Sequence, residues 1–408
     1  MQTNWKQNTI IFLASQGISL FGSMLVQYAI AWHINLSTGS GTAMTIAILC
    51  GFLPTFLLSP FAGVWADRYN RKYLAIFADG GIAAATLVLA LMVRSGNNSL
   101  IPMYIALAIR ALGSAVQQPC VSAILPAIVP TEHLMKVNGL QGSVQSVIML
   151  FSPMLAALLI KTVPFYYIFF IDIITAIAAI SILLLVFRYK HEKQPQAGKS
   201  NYLAELKLGL RYIGDRSYLK ILFLGFSVFM FLVTPLAFLS PLLVSRTFGE
   251  DALLLMGQEI CYSVGMVLGG VLIATWGGFR NRVHTMLFAN IMTACACFLM
   301  GLPVNYAVYL VLNAFCGMFG AVFNAPSMAL MQERIEDEYM GRVFSVMNMI
   351  SGAALPLGML VFGPMADKVS IQALLLISGA LMLVSIVVIL TRRSLVEAGE
   401  PKKPVIEA

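Results

Sequence analysis

Apolar stretches long enough to cross a lipid bilayer recur along almost the whole chain of 408 residues. The hydrocarbon core of a bilayer is about 30 Å thick, so a helix needs about 20 mostly apolar residues to span it. Charged residues make up only 11% of the sequence, against about 25% in soluble domains. The sequence therefore predicts an all-α integral membrane protein with twelve transmembrane helices. The predicted spans are 8–34, 42–65, 73–94, 100–126, 139–160, 164–187, 218–245, 253–276, 283–301, 304–331, 342–364 and 371–391.

The placement of the basic residues orients these spans. If the N-terminus is cytoplasmic, 21 of the 26 lysines and arginines fall in inner segments and four in outer loops, while Arg110 lies inside a span. Inner loops of membrane proteins carry this excess of lysine and arginine. The formal net charge of +8 therefore reflects orientation, and we expect the partner to be a lipid bilayer and not a nucleic acid. Both termini of this multi-pass protein are expected in the cytoplasm.

One long polar segment, residues 188–217, interrupts the series after the sixth span. In its second half, apolar residues recur at spacings of three and four, which is typical of an amphipathic surface helix. Gly63 and Gly270 are 207 residues apart, and so are Pro119 and Pro326. An offset near half of the chain length indicates two pseudo-symmetric six-helix bundles. The predicted organisation is an N-terminal bundle at 1–187, a cytoplasmic linker with an amphipathic helix at 188–217, a C-terminal bundle at 218–391 and a cytoplasmic tail at 392–408.

The inner loop after the second span combines a glycine, an acid and several bases, namely Gly63, Asp67, Arg68, Arg71 and Lys72. Orientation alone would explain a basic loop, but it does not explain an aspartate between the glycine and the arginines. Gly63 would let two helices pack closely, and the carboxylate of Asp67 can cap the positive N-terminal end of a helix in the other half. Such a contact would form a latch on the inner side of the protein.

This pattern resembles the signature G-x-x-x-D-R-x-x-R-K of the major facilitator superfamily, with every fixed position matched. The resemblance implies the major facilitator fold, and it implies that these five residues form a conformational latch that does not bind the substrate. The corresponding segment of the second half, residues 276–282, has no acid. Only the N-terminal latch is therefore expected to be complete.

A few charged side chains lie inside the predicted spans. Arg110 is near the middle of the fourth span, where a charge costs roughly 2.5–3.5 kcal/mol on insertion scales and needs a partner. Asp79 and Asp172 are predicted at a similar depth, and Glu259 lies in the eighth span. Arg110 either tunes a proton site, binds an anionic group of the substrate or forms a structural ion pair. The candidates for proton coupling are Asp172, Glu259, Arg110 and Asp79. Among the acids, Asp172 and Glu259 rank first, and Asp79 is assigned rather to the inner latch network.

Polar residues also form stripes on four of the predicted helices. Residues three or four apart share one helix face, and lipid tails cannot satisfy an amide. The stripes therefore form hydrogen bonds between helices, or they line a pathway for neutral or amphipathic solutes. The residues predicted to line a substrate cavity are Gln16, Ser23, Gln27, Ser114, Gln117, Gln141, Gln145, Asn313 and Asn324.

Two longer segments, residues 118–139 and 332–345, narrow the resemblance. They are similar to the twelve-span drug:proton antiporter branch of the superfamily, which includes bacterial macrolide-efflux proteins and some siderophore exporters. Ser152 and Pro153 begin a degenerate form of an antiporter motif, G-P-x-x-G-G. The resemblance implies proton-coupled export of a lipophilic or amphipathic drug, such as a macrolide, across the bacterial cytoplasmic membrane. Export of a siderophore or a lipid-like metabolite stays open as the alternative.

Such an exporter needs no cofactor, metal or catalytic residue, because the proton gradient supplies the energy. We expect a monomer that binds a small amphipathic substrate, and the sequence leaves open an accessory nucleotide-binding protein. A membrane-embedded enzyme is not favoured, since the four histidines lie singly at the ends of spans. The membrane half of an ATP-driven pump is not favoured either, because the phosphate-binding pattern G-x-x-x-x-G-K-[ST] is missing.

Overall fold

The computed structural model describes residues 5–97, 99–187, 189, 202–390 and 392–400. Within these ranges the regular structure is helical, without β-strands. Eleven of the helices described are long and apolar enough to cross a membrane. The protein therefore has the all-α membrane fold that the sequence predicts.

The helices of the first half are long, and the connections between them are short. Asn70 shows how one of them begins, because its side chain accepts a hydrogen bond from the backbone N–H of Lys72 and so caps the next helix. A 3₁₀ turn at Thr131–His133 precedes the fifth helix. The bounds are α1 Trp5–Thr38, α2 Gly41–Arg68, α3 Arg71–Arg94, α4 Ile101–Ile128, α5 Leu134–Thr162 and α6 Phe165–Leu185.

The second half begins with a helix of 13 residues, α7, where the amphipathic helix is predicted. The remainder of the linker, residues 188 and 190–201, lies outside the described residues, as do residues 401–408 of the predicted tail. The bounds are α7 Tyr202–Gly214, α8 Ser217–Leu232, α9 Thr234–Phe238, α10 Ser240–Thr247, α11 Ala252–Trp276, α12 Arg282–Met300, α13 Tyr306–Arg334, α14 Asp337–Ala366, α15 Ile371–Leu390 and α16 Arg393–Ala398.

The seventh predicted span, 218–245, is not one continuous helix. The structure divides it into α8, α9 and α10, with breaks at Val233 and Leu239. Pro235 and Pro241 lie in the first turns of α9 and α10. Proline has no backbone N–H, so it fits the first turn of a helix without the loss of a backbone hydrogen bond. The predicted span is therefore made of three consecutive helical pieces, and the predicted count of twelve is consistent with the structure.

The helices are grouped into two compact units. Described residues within 1–39, 43–198 and 250–256 form the first unit, and those within 40–42, 199–249 and 257–408 form the second. In the first unit, α1 packs against α4, α5 and α6, and α3 packs against α4 and α6. A Cβ atom at Gly22 would lie 2.0 Å from Thr175 Oγ1 and 3.1 Å from the Cα atom of Asp172. This glycine therefore allows the close approach of α1 and α6.

In the second unit, α12 packs against α13 and α15, and α14 packs against α7, α8 and α9. Helices α11 and α13 approach each other through glycines: a Cβ atom at Gly265, Gly269 or Gly317 would lie within 2.2 Å of a carbonyl oxygen on the other helix. Small residues allow such close approach of helices in membranes. The ring of Tyr212 on α7 stacks on that of Tyr339 on α14, with centroids 4.4 Å apart.

Candidate functional site

Arg110 lies in the interior of the first unit and is 6% exposed. Its guanidinium forms an ion pair with Asp172 on α6, and donates hydrogen bonds to Thr86 Oγ1 at 2.6 Å and to the carbonyl oxygen of Ser23 at 2.8 Å. The carboxylate of Asp172 also accepts hydrogen bonds from the hydroxyls of Ser23 at 3.1 Å and Thr86 at 2.9 Å. The two buried charges therefore balance each other within a set of hydrogen bonds, which favours the structural ion pair among the three alternatives for Arg110.

Asp79 on α3 has different partners. Its Oδ1 atom accepts hydrogen bonds from Ser19 Oγ at 2.9 Å and Gln117 Nε2 at 2.6 Å. Its Oδ2 atom is buried without a hydrogen-bond partner, and no basic side chain among the described residues forms an ion pair with it. Asp79 was predicted to belong to the inner latch network, which stays a prediction; the partners found for its side chain are polar residues of α1 and α4.

Thr86 is a functional candidate that the sequence analysis missed. It joins Arg110 to Asp172 through hydrogen bonds to both. Thr86 follows Asp79 by seven residues on α3, which is two turns, so both side chains lie on the same face of the helix. That spacing could have identified it.

The second unit contains a cavity of about 560 Å³. Its lining includes Glu259 together with aromatic, methionine and amide side chains from α8, α11, α12, α13 and α14. Asn313 and Asn324, both predicted to line a substrate cavity, are among the lining residues. The amide of Asn313 donates a hydrogen bond to the carbonyl oxygen of Gln258 at 2.7 Å, and Gln258 Oε1 accepts one from the Tyr309 hydroxyl at 3.0 Å.

Only some of the polar residues predicted to line a cavity in the first half lie around one cavity in the structure. A smaller cavity of about 110 Å³ in the first unit is lined by Gln16, Gln117, Gln141 and Gln145 among others. Ser23 instead belongs to the Arg110–Asp172 hydrogen bonds described above. Gln27 is exposed and Ser114 is half-buried, and neither lines either of these two cavities.

Comparison with known proteins places this arrangement in a family. A family model described as Major Facilitator Superfamily matches residues 12–358 and 259–407. The chain belongs to the major facilitator superfamily. It is a membrane transporter and not an enzyme. The superfamily members that it matches are transporters as well.

Individual relatives agree with this membership over most of the chain. "Macrolide efflux protein A" from Streptococcus pyogenes is 31% identical over 382 residues, covering 93% of this chain and 94% of that protein. The "Staphyloferrin A transporter" from Staphylococcus aureus is 22% identical and covers 88% of this chain and 89% of that protein. A solved POT family transporter in complex with thioalcohol conjugated peptide has a TM-score of 0.74 at 12% identity, covering 94% of this chain and 96% of that one. That likeness shows the fold alone.

The superfamily signature at 63–72 has a structural role inside the first unit. Arg71 is buried, and its guanidinium donates hydrogen bonds to the carbonyl oxygens of Ala66 at 2.9 Å and Ala123 at 3.0 Å. Lys72 Nζ donates one to the carbonyl oxygen of Phe187 at 2.8 Å. These two bases therefore hold together the ends of helices within one unit.

For two other signature residues, Gly63 and Arg68, none of the contacts that would form the predicted latch is seen among the described residues. A Cβ atom at Gly63 would meet nothing within 4 Å, so the close helix approach expected there is not found. Arg68 is exposed. The side chain of Asp67, on which the latch hypothesis depends, lies outside the described part of the chain, and its role stays a prediction.

A second aspartate, Asp367, caps the N-terminus of a helix, which is the role that was predicted for Asp67. Its carboxylate accepts hydrogen bonds from the backbone N–H groups of Gly41 at 2.7 Å and Thr42 at 2.9 Å, and from the Ser40 hydroxyl at 3.0 Å. Arg246 donates to the same carboxylate at 3.2 Å. Burial raises the pKa of Asp367, but the hydrogen bonds from the start of α2 outweigh this and lower the pKa to about 2. Asp367 is therefore a charged cap at the N-terminus of α2.

Asp367 was not among the residues predicted from the sequence, although a signal for it exists. Residues 363–368, Gly-Pro-Met-Ala-Asp-Lys, repeat the glycine, alanine, aspartate and basic residue of 63–68, Gly-Val-Trp-Ala-Asp-Arg. Both segments end a long membrane helix, α14 and α2. A search for the first half of the signature alone would have found this second copy.

Proposed function

We propose that the chain is a secondary active exporter, which exchanges protons for a lipophilic or amphipathic drug across the bacterial cytoplasmic membrane by alternating access. The observation that carries the proposal is the cavity of about 560 Å³ among membrane helices, lined by aromatic, methionine and amide side chains and one carboxylate. Pockets for drug-sized molecules have this size and this mostly apolar lining with a few polar groups. The Streptococcus pyogenes relative is named for macrolide efflux, so a macrolide is the first substrate to test.

Proton coupling needs a carboxyl group that can alternate between the charged and the neutral form inside the membrane. The partners of Asp79 support this role, because one of its oxygens has neither a hydrogen-bond donor nor a basic partner among the described residues. Asp172 is less suited, since Arg110 already balances its charge. We therefore assign proton exchange to Asp79, and we assign to Arg110 and Asp172 the task of holding α1, α3, α4 and α6 around it.

Export of a siderophore is the second candidate, and the similarity to the Staphyloferrin A transporter favours it. The cavity lining argues against a strongly anionic substrate, because its one charged side chain is a carboxylate. A macrolide and a siderophore can be compared directly as competitors for binding to the purified protein. We expect the exporter to act as a monomer without a cofactor, with the proton gradient as its energy source.

The test is the accumulation of a radiolabelled macrolide in a pump-deficient bacterium that expresses the chain, with and without a protonophore. We expect lower accumulation than in empty-vector cells and its return to the empty-vector level when the protonophore is added. Equal accumulation in both strains, with the protein confirmed in the membrane, would remove the macrolide as substrate. Export that persists in the protonophore would remove proton coupling.

The role of Asp79 is tested in the same cells with Asp79→Asn. This variant keeps an acceptor for Ser19 and Gln117 but cannot exchange a proton, so we expect the loss of net export down to the empty-vector level. The matched control is Glu250→Gln, which removes an exposed carboxylate outside the predicted spans and should export as the parent does. Full export by Asp79→Asn would move the proton site to another residue.

A further inference from the structure

The cavity of the second unit has one charged side chain in its lining, that of Glu259 on α11. No lysine or arginine lines the cavity, and no hydrogen bond or ion pair joins the Glu259 carboxylate to another residue in the described part of the chain. An unpaired charge inside a membrane is costly and is found where it faces protein or a water-filled space that serves a function. Its position therefore calls for a ligand that supplies the opposite charge.

The rings around the same cavity suit such a ligand. Phe226, Phe229, Tyr262 and Phe323 all line it. The ring of Phe323 stacks with those of Phe226 and Phe229, with a centroid distance of 6.2 Å in each pair. The faces of aromatic rings attract cations, and the attraction increases where water is excluded. A permanently charged or protonated organic cation gains from both the carboxylate and the rings.

The other residues that line the cavity indicate the shape and polarity of the uncharged part of the ligand. Four methionines, at positions 230, 266, 328 and 347, line the cavity, and methionine adapts its shape to irregular apolar groups. The side chain of Gln258 accepts a hydrogen bond from the Tyr309 hydroxyl, and its backbone carbonyl accepts one from Asn313, while none of the hydrogen bonds in the described part of the chain joins it to Glu259. The ligand that fits is bulky and apolar apart from one positive charge.

We propose that the Glu259 carboxylate binds the positive charge of a lipophilic monovalent cation, such as a bulky organic ammonium or phosphonium ion, while the rings and methionines hold its apolar body. This proposal rests on the proposed function, because it names the chemistry of the exported substrate. It differs from the role predicted from sequence, in which Glu259 serves proton coupling. Glu259 and Asp79 then have separate tasks in separate units.

The test is equilibrium binding of radiolabelled tetraphenylphosphonium to the full-length protein purified in detergent, with excess unlabelled cation to define specific binding. Triphenylphosphine oxide is the probe for shape without charge, because it is uncharged and similar in form. Three variants are compared with the parent: Glu259→Gln, Glu259→Asp and the control Glu250→Gln. Thermal unfolding of each variant shows whether it is folded.

We expect the parent to bind the cation and Glu259→Gln to bind it about tenfold more weakly or worse, since a charge pair at low effective dielectric is lost. Glu259→Asp keeps the charge and should bind within about threefold of the parent. Glu250→Gln, which removes an exposed carboxylate outside the predicted spans, should bind as the parent does, and the binding of triphenylphosphine oxide should be the same in all four proteins. Equal cation binding by folded Glu259→Gln and the parent would overturn the proposal.

The outcome can be separated from that of the proposed function. Glu259-dependent cation binding in a protein that does not export a macrolide supports the cation site and removes only the macrolide. If the protein exports a macrolide in a proton-driven way but binds the cation equally well with Glu259→Gln, the proposed function stands and the cation site is overturned.

Discussion

At the scale of single residues, the buried acids differ in what balances their charge. Asp172 has Arg110 beside it, Asp79 has only neutral donors on one oxygen, and Glu259 has no partner within the described residues. Sequence position could not separate them, because Asp79 and Asp172 were predicted at about the same depth as Arg110. The choice between them depends on side-chain direction, which follows from the packing of α3 and α6 around α1 and α4.

The ion pair leads to a prediction about stability. Asp172→Asn leaves the Arg110 guanidinium buried without a counter-charge, and breaking a buried pair in this way costs about 3–5 kcal/mol. Asp79→Asn removes no ion pair, so it should change the free energy of unfolding by less than about 1 kcal/mol. Thermal unfolding of the purified variants in one detergent should therefore rank Asp172→Asn well below Asp79→Asn. Equal loss in the two variants would contradict the assignment of the charge pair.

A double variant supplies the control for this prediction. Arg110→Met combined with Asp172→Leu removes both charges, and apolar replacement of a buried pair is often neutral for stability. The double variant should thus unfold at a higher temperature than Arg110→Met alone. A double variant less stable than either single variant would show that the two residues stabilise the unit independently.

At the scale of helices, close packing of α11 and α13 depends on individual glycines. A Cβ atom at Gly269 would lie 2.1 Å from the carbonyl oxygen of Met318, whereas one at the neighbouring Gly270 would meet nothing within 4 Å. Gly269→Ala should therefore force the helices apart and cost about 1–3 kcal/mol of stability. Gly270→Ala is the matched control and should be neutral or slightly stabilising, because alanine favours a helix over glycine. Thermal unfolding compares the two, and equal behaviour would show that the helices can separate without loss.

The start of α2 carries a prediction about Asp367. Asp367→Asn removes the charge that caps the first turn, which is worth about 1 kcal/mol. Hydrogen exchange at the backbone amides of Gly41 and Thr42 should accelerate by about fivefold, while exchange in the middle of α2 stays the same. Asp215→Asn, at an exposed acid that follows α7, is the control and should leave these amides unchanged.

The pH dependence of this cap follows from the lowered pKa. A carboxyl group whose pKa falls on folding stabilises the fold at pH values above its unfolded pKa, near 4, and loses that contribution as the pH falls through the folded pKa. For Asp367 the folded pKa is about 2. Protection of Gly41 and Thr42, corrected for intrinsic exchange, should therefore be constant from about pH 5 to pH 9. A decrease of protection between pH 7 and pH 5 would show that another group holds the start of α2.

Helix positions followed from the sequence because membrane spans are set by apolar length and by backbone hydrogen bonds within each segment. Pro235 and Pro241 alone did not predict the break of the seventh span, because Pro119 and Pro326 lie inside unbroken helices. The contacts of Arg71 and Lys72 could not be predicted, since a signature gives residue types and not the carbonyl groups that they reach. The cavity of the second unit was indicated by Asn313 and Asn324, whereas its aromatic wall depends on how α8, α11 and α13 pack.

At the scale of the whole molecule, the basic residues make a prediction about orientation. If all twelve predicted spans cross the membrane, both termini lie on the same side, and the excess of lysine and arginine predicts that this side is the cytoplasm. A fluorescent protein fused after Ala408 should be fluorescent, because it folds in the cytoplasm, and alkaline phosphatase fused at the same place should be inactive. Alkaline phosphatase inserted after Lys161, in a predicted outer loop, should be active.

The two fusions test different parts of the topology. The C-terminal fusion depends on all twelve crossings, including the broken segment α8–α10, whereas the fusion after Lys161 depends only on the first five. Active phosphatase at both places would mean that one segment of the second half does not cross, and α8–α10 would be the first suspect because α8 alone, Ser217–Leu232, is shorter than a full span. Inactive phosphatase after Lys161 together with active phosphatase after Ala408 would reverse the orientation, and with it the direction in which this transporter moves its substrate.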